Sequence, residues 1–176
     1  QALLNEIVLQ KNYLGGEPVS TVYFGGGTPS LLSDMELKAI QQALHLQFSI
    51  APGAEFTLEA NPDDITDTKL ALWKQAGINR LSIGVQSFYE DDLRWMNRVH
   101  NANQSLQAIR AAQAAGFHNL TIDLIYGTPQ LTDERWLHNL QQATALGVEH
   151  LSCYALTVEP QTALAAQIRK GTTQNV

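Results

Sequence analysis

The sequence repeats one short phrase three times, at residues 77–83, 116–122 and 147–153, where it reads GINRLSI, GFHNLTI and GVEHLSC. Each copy begins with glycine and continues with an apolar residue, two polar residues, leucine, a hydroxyl residue and another apolar residue. Glycine at this place is typical of a helix end, because it reaches a positive φ without a Cβ penalty. The phrase therefore predicts three units in which a helix ends at glycine and a buried strand follows.

Two further strands, at residues 19–24 and 55–60, extend this pattern towards the N-terminus. Between them, Ser33 and Glu36 have the spacing of a capping box, which predicts the start of a helix. The predicted order is one helix followed by five strand–helix units. Such an alternation is typical of parallel strands joined by crossover helices.

Side-chain alternation along these strands separates the two folds that fit this order, a doubly wound sheet and a TIM-type barrel. Each of three strands has one small or polar face: Thr57, Glu59 and Asn61; Ser82, Gly84 and Gln86; Thr121, Asp123 and Ile125. Helices on both sides of a sheet would require two apolar faces, whereas a barrel can enclose a polar lumen. The residues thus predict an α/β fold in one domain, residues 1–176, that forms a partial (β/α) barrel. The alternative explanation for these faces is that their hydroxyl residues only fill the layers of a packed barrel.

Composition excludes several classes of function. The net charge of -6 and the pI near 5.2 argue against a nucleic-acid partner. No stretch approaches the roughly 18 apolar residues that a membrane span needs, so we expect a cytoplasmic protein. The single cysteine, Cys153, excludes a disulfide framework and a metal site of several thiolates, and its pattern predicts a small buried strand residue.

A glycine-rich segment, GGGTPS, follows the first predicted strand and contains Gly26, Gly27 and Thr28. Glycines let a ligand approach the backbone closely. The segment lacks the lysine of a phosphate-binding loop and the spacing of a dinucleotide fingerprint, so alone it is a weak signal.

Polar side chains stand near the ends of the next three strands, where the chemistry of barrels is located. Glu59 can accept hydrogen bonds from an ammonium group or a ribose, Gln86 can both donate and accept, and Asp123 can accept. For Glu59 the alternative is an ion pair with Arg80 or Arg98. Because the three side chains converge on one rim, ligand contact is the favoured interpretation.

Arg98 and His100 follow the helix after Gln86. The Arg98 guanidinium can bind a carboxylate through two hydrogen bonds. His100 can titrate near neutral pH or bind a metal, but a structural role is the expected one for a solitary histidine.

Taken in order, six segments between residues 19 and 160 resemble a known family: GGGTPS, LEANP, GINRLSIGVQSF, NRVH, NLTIDLIYGTP and HLSCYALTVEP. This is the radical S-adenosylmethionine family that contains oxygen-independent coproporphyrinogen oxidase and related heme chaperones. The resemblance implies a partial barrel, a [4Fe-4S] cluster held by a CxxxCxxC motif, and S-adenosylmethionine that is cleaved to a 5'-deoxyadenosyl radical. It also implies the ligand contacts: Gly26, Gly27, Thr28 and Glu59 at the methionine part, and Gln86, Arg98, Asp123 and Ile125 along the remainder.

The chain departs from the family pattern because the CxxxCxxC motif is absent. By resemblance, the motif and its strand should precede Gln1, and a further domain should follow Val176. We therefore expect a piece of the core domain, truncated at both ends and inactive alone, with no metal ligand or catalytic residue of its own.

Three positions favour the heme-chaperone branch of the family: Asn61, Ser87 and His100 stand where the oxidase usually has Asp, Asp and Gln. The resemblance then implies a complete protein that binds heme as well as S-adenosylmethionine and delivers heme to respiratory proteins. Thr128 replaces a usual leucine, which we expect to affect only local packing. Two alternatives stay open: a radical oxidase that converts the propionates of coproporphyrinogen to vinyl groups, and a barrel scaffold without a cluster.

Overall fold

A computed structural model describes residues 1–173, in which each strand is followed by one or two helices. The helices are α1 (Ala2–Leu9), α2 (Asp34–Gln47), α3 (Asp67–Gln75), α4 (Glu90–Trp95), α5 (Ala102–Ala114), α6 (Asp133–Ala145) and α7 (Ala163–Arg169). The strands are β1 (Val19–Phe24), β2 (Ile50–Ala60), β3 (Arg80–Gln86), β4 (Asn119–Tyr126) and β5 (His150–Ala155). Short 3-10 turns lie at Pro29–Leu31 and Pro62–Asp64. Within residues 1–173, every helix is too short or too polar to cross a membrane.

The five strands form one parallel sheet in which each strand pairs with the next one along the chain, in the order β1-β2-β3-β4-β5. The sheet curls into a half-barrel, with the helices on its outer side. Because all strands run the same way, their carboxyl ends meet along one rim. The predicted order of one helix and five strand–helix units is confirmed, as is the partial barrel.

The core lies between the outer face of the sheet and the helices. In β3, Leu81, Ile83 and Val85 are fully buried on this face, while the alternate residues point into the lumen. Burying one such side chain contributes about 1.5–3 kcal/mol. The same layer contains further fully buried side chains: Leu58, Leu70, Ile78, Ile109, Phe117, Leu120, Ile122 and Leu124.

The three repeated glycines each end a helix. Gly77, Gly116 and Gly147 have φ values of 81°, 83° and 69°. After Gly77, the Ile78 N–H donates to the Trp73 carbonyl at 2.9 Å, which closes the helix in the manner of a Schellman motif. The predicted helix–glycine–strand units are therefore confirmed, and so is the capping box between Ser33 and Glu36.

A polar cluster fills the lumen at the amino ends of the strands. The Arg80 guanidinium donates to the hydroxyl of Thr57 at 3.2 Å, to the hydroxyl of Thr121 and to the amide oxygen of Asn119. The Glu55 carboxylate lies 3.8 Å from the Arg80 Nε. This cluster satisfies the charge of Arg80, so that the ligand-accessible part of the lumen is the opposite end.

Two features of the strands differ from the sequence-based expectation. β2 begins at Ile50 and not at residue 55, because its pairing with β1 shifts register between Val19 and Thr21 and so includes the Pro52–Gly53 irregularity. The prediction that Cys153 is buried is wrong: its side chain is exposed. Cys153 lies on the outer face of β5, which is an edge strand of the described sheet, and burial falls away along that strand.

Candidate functional site

The glycine loop after β1 forms one side of the carboxyl-end rim. Gly26 and Gly27 have φ values of 80° and 61°, a region that favours glycine. At Gly25, an added Cβ would lie 2.7 Å from the Tyr23 ring and 3.0 Å from the Glu59 carboxylate. The missing side chain at Gly25 therefore allows Tyr23 and Glu59 to approach the loop.

Glu59 is held at the end of β2 by two hydrogen bonds. The Tyr23 hydroxyl donates to one carboxylate oxygen at 2.9 Å, and the Gly26 N–H donates to the other at 3.1 Å. Neither Arg80 nor Arg98 pairs with Glu59, so the alternative of an ion pair within the barrel is not what the structure has. The carboxylate keeps acceptor positions that face the lumen.

Arg98 reaches the same rim from the segment after α4. Its Nη2 donates to the Asn61 amide oxygen at 2.8 Å and lies 3.4 Å from the Gly84 carbonyl. Burial lowers the pKa of Arg98, while the charges of Asp63 and Asp123 oppose that shift. Because Asn61 is neutral, it leaves the positive charge of Arg98 uncompensated at this contact and available to an anionic ligand group.

Asp123 faces the lumen from β4. The Ser82 hydroxyl lies 3.4 Å from its carboxylate. Burial is the main cause that raises the pKa of Asp123; a hydrogen bond from Ser152 lowers it, and the nearby charge of Glu59 raises it again. A ligand that donates a hydrogen bond, such as a ribose hydroxyl, would stabilise the ionised carboxylate.

These side chains surround a cavity of about 160 Å³. Of the eight residues that the sequence singles out, six line it: Gly27, Thr28, Glu59, Gln86, Arg98 and Asp123. Gly26 does not line the cavity, but its N–H donates to the Glu59 carboxylate, which does. Ile125 lines a second cavity of about 630 Å³. Arg98 lines both cavities, and so joins Ile125 to the rest of the set. The rim thus combines a glycine backbone, two carboxylates, an amide and a guanidinium, a set suited to a zwitterionic ligand that also carries hydroxyl groups.

His100 lies beside this site but does not line its cavity. It is buried, its Nε2 lies 3.1 Å from the Val85 carbonyl oxygen, and its Nδ1 lies 3.5 Å from the Asp63 carboxylate. Burial lowers its pKa. No group of side chains suited to hold a metal ion occurs within residues 1–173. The contacts with Val85 and Asp63 fit a structural role for His100.

Sequence reasoning missed several residues at the rim. Tyr23 shares a strand face with Gly25, so the alternation argument applied to β1 would have placed it in the lumen. Thr128 does more than local packing, because its hydroxyl donates to the buried Asp92 carboxylate at 2.8 Å. Asp92 itself gave no signal in the sequence: Ser87 is five residues away from it, but its other hydroxyl partner, Thr128, is 36 residues away.

Comparison with known proteins gives a consistent set of relatives. The family model described as Radical SAM superfamily matches residues 3–143. The heme chaperone HemW of Escherichia coli strain K12 is 38% identical over 162 residues, which are 92% of this chain and 43% of that protein. HemW of Mycobacterium tuberculosis strain H37Rv is 40% identical over 97% of this chain and 44% of its own length. This chain therefore spans less than half the length of these relatives.

Solved structures resemble the chain in the same way. The coproporphyrinogen III oxidase HemN of Escherichia coli, described as a radical SAM enzyme, aligns with a TM-score of 0.83 and 33% identity, over 96% of this chain and 38% of its own. The archaeal Elp3 of Methanocaldococcus infernus aligns with a TM-score of 0.76 at 16% identity, a likeness of fold alone.

Proposed function

Since the chain belongs to the radical S-adenosylmethionine superfamily, we propose that its carboxyl-end rim binds S-adenosylmethionine. The observation that carries this proposal is the convergence of six candidate residues on one cavity, with the Glu59 carboxylate fixed by Tyr23 and Gly26. An ammonium and a carboxylate on the same ligand find partners of opposite charge here in Glu59 and Arg98.

Each residue of the rim has a distinct task in this proposal. Glu59 and the glycine loop hold the methionine part, and Arg98 neutralises negative charge. Along the ribose, Gln86 donates and accepts hydrogen bonds and Asp123 accepts them. When bound to a cluster, S-adenosylmethionine supplies radical chemistry. The chain has one cysteine, the exposed Cys153, so its own residues do not supply the three or more thiolates that a [4Fe-4S] cluster needs.

For the whole protein, we propose the function of a heme chaperone that binds heme or a related porphyrin and delivers heme to respiratory proteins. The relatives named heme chaperone HemW support this proposal. The family resemblance supports it as well, because Asn61, Ser87 and His100 stand where it implies Asp, Asp and Gln in the oxidase. The neutral Asn61 beside Arg98 gives the first of these differences a physical effect at the rim. The proposed location is the cytoplasm, and residues 1–176 are proposed to be part of a single core domain.

The oxidase is the second candidate, because the HemN structure resembles this chain at 33% identity. To separate the two, the full-length gene product is reconstituted anaerobically with iron and sulfide, and heme and coproporphyrinogen are then titrated separately. Stable heme binding without decarboxylation is the expected result. Conversion of coproporphyrinogen to a divinyl product would instead establish the oxidase, and a protein that binds neither would leave only the scaffold.

A further inference from the structure

Gln86 occupies a strained backbone conformation at the rim. Its φ is 68°, and the Ser87 N–H donates to the Val85 carbonyl at 2.9 Å across it, so the three residues form a γ-turn of the rare left-handed kind. Its side chain lies across Gly84, where an added Cβ would be 2.7 Å from the Gln86 amide nitrogen. Such strain persists only where the surroundings fix the backbone through several contacts.

Ser87 supplies the first of these contacts, and it points away from the cavity. It is fully buried, and its hydroxyl donates to the Asp92 carboxylate at 2.8 Å. The same hydroxyl oxygen accepts from the Tyr89 N–H at 3.1 Å and from the Asn139 amide at 3.2 Å. All the hydrogen-bonding capacity of this side chain is therefore used just after the strained turn.

Asp92 joins this loop to the end of the next strand. Its carboxylate is 1% exposed, and its second oxygen accepts from the Thr128 hydroxyl at 2.8 Å. Arg135 of α6 lies 3.9 Å from the carboxylate and also stacks over the Tyr89 ring. A buried carboxylate without these partners would cost the folded protein much free energy. The side chains around Asp92 therefore have one preferred arrangement.

We propose that Asp92 is a positioning residue for the rim: its buried carboxylate, held by Thr128, fixes Ser87 and thereby keeps Gln86 in the orientation that binds S-adenosylmethionine. This inference rests on the proposed function. Asp92 does not line the cavity, so its effect on the ligand acts through Gln86.

The test is a double-mutant cycle in the full-length, cluster-reconstituted protein, with affinity for S-adenosylmethionine measured by calorimetry and melting temperature measured alongside. Asp92→Ala should lower the affinity about tenfold in the wild-type background but less than twofold in the Gln86→Ala background. The loss of melting temperature should be the same in both backgrounds, because packing is lost equally. A purely structural role would instead lower the affinity by the same factor in both.

Milder variants keep the test decisive if Asp92→Ala does not fold. Thr128→Val removes one hydroxyl at nearly constant shape and should weaken binding in the wild-type background more than in the Gln86→Ala background. Asp91→Asn is the control: Asp91 lies on the same helix as Asp92 but its carboxylate is exposed, so binding should not change. If wild type binds, Gln86→Ala weakens binding and the Asp92 and Thr128 variants do not, only this inference is overturned. If wild type does not bind S-adenosylmethionine, the proposed function and this inference both fail.

Discussion

Asp123 faces the lumen as a carboxylate whose ionisation is opposed by burial, which raises its pKa above the ordinary value of 3.8. Between the ordinary and the raised value, the folded protein holds more protons than the unfolded chain. The contribution of this group to stability is therefore complete at low pH and is lost as pH rises through the raised pKa.

The corresponding prediction is that Asp123→Asn raises the melting temperature at pH 7 and that this gain shrinks towards pH 3. Thermal melts between pH 3 and pH 7 measure it, with Glu17→Gln as the exposed control. An Asp123→Asn protein that melts at or below the wild-type temperature at pH 7 would contradict the argument.

His100 changes the stability with pH in the opposite direction. Burial lowers its pKa below 6.5, so the unfolded chain binds a proton at a pH where the folded protein does not. The contribution of His100 to stability is complete above pH 6.5 and is lost as the pH falls through the lowered pKa.

His100→Gln should flatten the stability profile below pH 6.5, because glutamine does not titrate. Denaturant unfolding at several pH values measures this effect, and His118→Gln, an exposed histidine, serves as the control. An unchanged acid dependence in His100→Gln would show that another group is responsible.

At the scale of the elements, the helix ends were the most predictable features. The repeated phrase and the capping box each rest on local chemistry within a few residues, and the structure has both where the sequence indicates them. The early start of β2 and the exposure of Cys153 depend on strand register and on which strand lies at the sheet edge. Local patterns do not carry that information.

Gly147 offers a clean measure of the helix-end geometry, because nothing lies within 4 Å of an added Cβ. Gly147→Ala should therefore destabilise the protein only through its positive φ, by about 1–2 kcal/mol. Gly147→Asn should cost less, since asparagine tolerates this conformation. Denaturant midpoints report both values, and an Ala variant as stable as wild type would refute the backbone explanation.

At the scale of the whole molecule, the half-barrel brings together the ends of strands that are far apart in sequence. Alternation along β2, β3 and β4 was enough to place Glu59, Gln86 and Asp123 on one rim. The contacts that fix them were not predictable, because Tyr23 and Glu59 are 36 residues apart and Ser87 and Asn139 are 52 apart. Such pairs follow from the curled geometry of the sheet and not from any local pattern.

The central claim is that this rim holds S-adenosylmethionine through Glu59, and calorimetric titration of the full-length, reconstituted protein tests it most directly. Glu59→Gln loses a charge-assisted contact worth about 1.5–3 kcal/mol, which corresponds to about 10- to 150-fold weaker binding. Glu55→Gln is the matched control, because Glu55 lies on the same strand at the other end of the lumen. The account predicts weaker binding for Glu59→Gln alone; equal affinities in all three proteins, or no binding by wild type, would contradict it.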